Sequence, residues 1–351
     1  MSEKTKLYRL EALRGFAAFY VVLHHTISAK SVNIFGHNVG FLLRFGQEAV
    51  ILFFLLSGFV INYSYQRSAD KSFGTYFLKR ALRIYIPLFA IFFTSYILLA
   101  YNAKDWINPE LKTLGLNILM LQDWEVVKPN VITPSYMENT PLWSLSYEWW
   151  FYMLFFPLIH FFRGSRKHLY IYSIVVVSTL LYVVLPIFPF RIVSYLGIWW
   201  TGVYLADLYL AGKTGALKEY VLPSVALVAT SAILFLDVLL NHLEGTRLLL
   251  GYHPVLELRH NVFAGCVLIG AMVWHRFKWF GFDIIFKPFL ILAPVSYAMY
   301  ISHMPLMANA SYLDAVDNPV LEWFMYLSIV LLFSWLVEIV FYNRLKRMIL
   351  G

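Results

Sequence analysis

The chain has 351 residues, of which 60% are hydrophobic, 19% aromatic and only 14% charged. Soluble domains carry closer to a quarter charged residues, so this balance excludes an ordinary soluble enzyme and points to one integral membrane domain over residues 1–351. The net charge of +8 is no sign of nucleic-acid binding, because the basic residues fall in short segments between apolar runs, where they report topology. The single cysteine, Cys266, excludes an intramolecular disulfide and a cysteine-rich zinc site, and no metal is expected.

Ten segments read as membrane-spanning helices, at about 10–29, 45–65, 81–101, 142–162, 169–187, 191–211, 221–240, 261–279, 288–308 and 320–342. The fold class predicted is an all-α polytopic bundle. The basic N-terminus precedes an apolar stretch, as in a signal peptide. That stretch contains Arg14, His24 and His25 with no small-residue cleavage site after it, so an uncleaved first helix is expected. Arg14 and His25 are eleven residues apart, which places them on one helix face about 16 Å from each other. Ionisable groups inside a bilayer are costly and mark functional sites by default.

Further along, Glu48 opens the second segment, with Ser57 and Gly58 deeper in it. Arg80 and Arg83 share a face at the start of the third. The longest loop, about 102–141, contains LGLNILMLQ (114–122), which is too short to span and reads as interfacial or re-entrant. The fourth segment carries Glu148, and the ninth carries His303, followed closely by Pro305. No internal repeat is evident.

The loop charges orient the helices. Alternate loops, starting at the N-terminus, hold 19 of the 28 Lys and Arg, the other set holds 8, and Arg14 lies within the first segment. The bias predicts both termini on the cytoplasmic side. Arg14, Arg80 and Arg83 then gather at cytoplasmic depth, where guanidinium forks suit phosphate oxygens. His25, Glu148, His303 and more weakly Glu48 fall at middle to outer depth, where a hydroxyl could lose a proton. Each has a plainer reading. Arg80 and Arg83 could serve topology alone, and Arg14 could snorkel. His25 could bond a neighbouring helix, as His24 is expected to, and Glu148 could sit in a structural salt bridge. His303 could satisfy the carbonyl that Pro305 frees. One polar site explains them jointly.

At these residues the chain resembles the acyltransferase-3 family of membrane O-acyltransferases. The resemblance runs in order through LEALRGFAAFYVVLHH, with its arginine and histidine at Arg14 and His25, then GQEAVILFFLLSGFVI, KRALRIYIP, PLWSLSYEWWFYMLFFP and SYAMYISHMPL. It implies transfer of an acyl group, most often acetyl from acetyl-CoA, to a hydroxyl of an extracytoplasmic glycan or glycolipid, such as O-antigen or exopolysaccharide. The expected setting is the lipid bilayer of a bacterial inner membrane. It also implies His25 as the catalytic histidine and Arg14, Arg80 and Arg83 as donor-binding residues. Glu148 or another carboxylate is expected to orient the imidazole, and His303 to assist or contact the acceptor. No hydrolase-like domain is expected after the tenth segment, and a second transfer step would then call on a separate periplasmic transferase. The rival classes are a transporter or flippase, using the same residues as a proton and substrate path, and a non-catalytic scaffold.

Overall fold

The structure, a computed structural model, describes residues 3–27, 33–34, 37–38 and 40–350. Lys30 and the last two residues of the first predicted span lie outside the described residues, as do the side chains of Lys4 and Lys6. The helices are α1 (Glu3–Ile27), α2 (Gly46–Gln66), α3 (Phe73–Ala103), α4 (Leu111–Ile118), α5 (Trp143–Phe161), α6 (Lys167–Val184), α7 (Phe188–Leu210), α8 (Val221–Leu243), α9 (Val255–Arg276) and the single-turn α10 (Phe282–Ile285). A 3₁₀ stretch (Lys287–Val295) leads into α11 (Ser296–His303), which ends in a π-turn (Met304–Ala308). The last helix runs through α12 (Pro319–Trp335), a second π-turn (Leu336–Phe341) and α13 (Tyr342–Leu350). A two-residue antiparallel ladder, Asn33–Ile34 with His37–Asn38, follows α1.

Each of the ten predicted segments is helical. Among the described residues, seven helices are long and apolar enough to cross a membrane by length and composition; α1, α5 and α7 are not among them. The reason lies in their surroundings. Helix α7 packs on α2, α5, α6, α8 and α9, and sixteen of its 23 residues are buried, including Arg191, Tyr195, Trp199 and Trp200. A helix enclosed by other helices can carry groups that lipid would not tolerate, because its neighbours satisfy them. Helix α7 can therefore lie inside the bundle without meeting the apolarity that lipid contact demands.

Helices α2 and α7 pack closely. A Cβ on Gly58 would overlap the carbonyl oxygen of Trp199, and one on Gly202 would overlap that of Leu55. Two glycines facing each other's backbones let these helices approach as small residues do in membrane bundles. Helix α3 begins at Ser72, whose hydroxyl accepts from the Thr75 amide, a helix N-cap. Just outside the bundle, bonds from Thr75 and Ser72 hold the Asp70 carboxyl below the usual carboxylate range.

The loop between α3 and α5 is built around buried polar groups. Its short helix α4 places Asn117 where it donates to the Thr113 and Pro134 carbonyls and accepts from the Tyr136 amide. Deeper, the Asp123 carboxylate lies 3.0 Å from the Lys128 ammonium and 3.1 Å from Arg191 Nε, and accepts from Tyr147 at 2.7 Å. Lys128 and Arg191, both within the smaller set of loop charges counted above, are thus buried, and Arg259 of the same set, partly exposed, pairs with Glu48. They inform on packing and not on orientation.

Candidate active site

Helix α1 organises the site. Midway along it, Arg14 points at the start of α11, with a terminal nitrogen 3.3 Å from Ser296 Oγ and 3.4 Å from the Ala293 carbonyl. It lines a cavity of about 260 Å³ together with Lys79, Arg80 and Arg83 of α3, Glu148 and Tyr152 of α5, and Tyr342 and Lys346 of α13. Along α2 the cavity is lined from Val50 to Ile61, a run of about 16 Å. The three arginines predicted to act together do share one space.

Their electrostatic states differ. Arg83 is ion-paired with Glu338 on the second π-turn, and the other Glu338 oxygen accepts from the Ala298 amide at 2.6 Å. Arg80 lies over the Tyr76 ring with its Nε buried and unpartnered. Among the described residues, no carboxylate pairs with Arg14, Arg80, Lys79 or Lys346. One end of the cavity therefore holds several cations and one neutralised pair, a composition suited to an incoming polyanion.

Glu148 belongs to this cavity and not with the histidines. Its carboxylate accepts from Ser57 at 2.8 Å and from Tyr152, and Trp199 donates to the Ser57 hydroxyl at 3.2 Å. The expectation that it orients the imidazole is corrected: helix α5 turns it toward the α2–α7 seam. Glu48 also stands apart from the histidines, held by Arg259, which reaches Gln47 as well.

At the far end of α1, His25 stacks obliquely on His303, ring centroids 5.1 Å apart. They are the only two of the six predicted site residues that form a pair of rings. His303 Nδ1 lies 2.6 Å from the Tyr300 carbonyl, and its Nε2 is buried without a partner. It does not answer the carbonyl that Pro305 leaves free. In an α-helix that carbonyl belongs to Ile301, and Asn139 donates to it at 2.8 Å. His24 packs edge-on against His25, ring centroids 4.8 Å apart, while its Nδ1 lies 2.5 Å from the Leu43 carbonyl. Among the described residues, no carboxylate pairs with His25 or His303; the histidine–carboxylate pairs involve His168 and His253.

A small cavity of about 20 Å³ adjoins His25, walled by His24, Gly46, Gln47, Thr140, Trp124 and Trp143 among others. Val50 and Tyr300 line both this cavity and the larger one. The sequence profile of the acyltransferase-3 family, described as an acyltransferase domain, matches residues 7–339.

The chain belongs to the acyltransferase-3 family.

It is also similar to Acyltransferase MdmB of Streptomyces mycarofaciens, 33% identical over 169 residues, which cover 46% of this chain and 41% of that protein. The aligned part thus spans less than half the length of that relative. No solved structure matches. With its apolar helices, this acyltransferase-3 family chain is a multi-pass membrane protein.

Several residues of the site escaped the sequence reading. Glu338 is a lone carboxylate in an apolar segment, the same kind of signal that singled out Glu148. Tyr300 stands one turn before His303, a spacing that puts both on one face. Nothing local marks Val50 or Lys346, which join the site only through packing.

Proposed function

We propose that this acyltransferase moves a short acyl group, most simply acetyl, from cytoplasmic acyl-CoA to a hydroxyl of an extracytoplasmic glycan. The observation that carries the reading is the division of α1: Arg14 opens on a cationic cavity, His25 on a separate small cavity, and the two meet at a shared wall. In this reading ten helices cross the inner membrane, both termini are cytoplasmic, and Arg14, Arg80 and Lys346 receive donor phosphate oxygens. The cavity of about 260 Å³ falls below the range of about 300–1,000 Å³ that encloses a drug-sized ligand. It fits the thioester arm of a donor whose nucleotide stays outside at the basic rim.

His25 takes the proton from the acceptor hydroxyl as its oxygen attacks the thioester carbonyl. The new C–O bond forms, the C–S bond breaks, and the imidazolium returns the proton to the departing thiolate. A covalent variant, with His25 first taking the acyl group, uses the same geometry. His303, packed on His25 and buried, holds the ring in place and offers an unpartnered nitrogen to the acceptor.

The test is radiolabelled acetyl-CoA supplied to purified protein in detergent with envelope glycan. Label moving covalently to the glycan supports the enzyme; uptake into sealed vesicles with no covalent change supports a transporter. Replacing a general base removes about 10²–10⁴ of rate, so folded His25→Ala retaining full transfer would remove the catalytic assignment.

A further inference from the structure

On the reading that this is a CoA-dependent transferase, we propose that Val50 and Tyr300 form the constriction through which the acyl group reaches the histidine pair, and that their bulk restricts the donor to short acyl chains. They are the two residues common to the linings of both cavities. Both are buried, at 4% and 7% exposure, so the partition between the cavities is made of side chains that solvent does not reach. The donor side is roomy and the histidine side is not. About 260 Å³ lies before the partition and about 20 Å³ beyond it, whereas a single water needs about 10–15 Å³ on this scale. That space holds one or two waters, so acetyl asks the least displacement of the wall and each added methylene asks more.

The wall is held on both faces. Tyr300 Oη donates to the Pro141 carbonyl at 2.9 Å and lies 2.8 Å from Ser144 Oγ, while its ring packs on Phe53. Asn139 adds a second tie from the same loop to α11 through the Ile301 carbonyl. Val50 sits on α2 one turn from Gly46, where α2 packs tightly against His24. Neither side chain can swing away without breaking a buried bond or moving a helix.

Chain-length profiles test this. Membranes of the host carrying the protein are given labelled acetyl-, butyryl- or hexanoyl-CoA, and label entering the envelope glycan is counted. Val50→Ala, which removes two methyl groups from the wall, is expected to raise the butyryl-to-acetyl ratio about tenfold, since one methylene in an apolar pocket is worth about 10–200-fold. Tyr300→Leu should shift the ratio the same way from the other face, and Val50→Thr, nearly isosteric, should leave it unchanged. A ratio within twofold of wild type in both Val50→Ala and Tyr300→Leu overturns the constriction while acetyl transfer stands. A fold defect alone lowers all three donors together, and an unmoved ratio in the surviving protein also counts against the proposal. Wild-type protein that transfers none of the three overturns both the constriction and the acyl-CoA reading.

Discussion

Asp123→Asn is the substitution whose cost the structure specifies best. Asp123 is fully buried and serves as anion to two buried cations, Lys128 and Arg191. It also accepts from the Tyr147 hydroxyl at 2.7 Å and the Trp124 amide at 2.8 Å. Asparagine keeps the shape but removes the charge and turns an amide NH₂ toward groups that are themselves donors. Breaking a buried pair from one side costs about 3–5 kcal/mol, because a charge remains without its partner; here two remain. At about 2.1 cal/mol/K of unfolding entropy per residue, a chain of 351 residues loses about 1.4 °C of Tm per kcal/mol, so a fall of at least about 4 °C is expected in detergent, followed by tryptophan fluorescence. Lys128→Met should cost less, since Asp123 keeps Arg191, and adding it to Asp123→Asn should recover part of the loss. Transfer activity should fall as well, because the Lys128 ammonium lies 3.8 Å above the Trp143 ring, which walls the cavity beside His25. A Tm change under about 2 °C for Asp123→Asn, or Lys128→Met as damaging as Asp123→Asn, would refute the buried-pair account.

Arg80→Gln and Arg83→Gln should separate by phenotype. The first removes a cation that no carboxylate neutralises and should raise the apparent KM for acetyl-CoA about tenfold or more, as expected for a lost hydrogen bond to a charged group, with Tm nearly unchanged. The second leaves Glu338 buried without its partner and should lower Tm by several degrees; equal Tm values for the two variants would contradict this division. Gly202→Ala should destabilise by about 1–3 kcal/mol, because its methyl group would overlap the Leu55 carbonyl. It should also weaken transfer through Ser57 and Trp199, and wild-type Tm and rate would show that α2 and α7 can part freely. Glu48→Gln, whose partner Arg259 is partly exposed at 27%, should cost about 1 kcal/mol or less; a loss as large as that of Asp123→Asn would mean Glu48 does more than hold Arg259.

What the sequence by itself determined was the helical membrane architecture, the segments and the family. Apolar run length is local, and so is an arginine or histidine out of place in it, which is why Arg14, His25, Arg80, Arg83, Glu148 and His303 could all be picked from the chain. Helical spacing also fixed the separation of Arg14 from His25, since one rigid helix carries both. Only the tertiary structure decided which residues from different helices share a space. Depth alone grouped Glu148 with the histidines, but rotation of α5 about its axis puts its carboxylate on Ser57 and Tyr152. Loop position alone made Lys128 and Arg191 topology charges, but the fold buries both on Asp123. Val50 carries no chemical signal and Tyr300 only its spacing to His303, yet they separate the two cavities, because a partition is made by the distance between helices and not by the residues along any one of them.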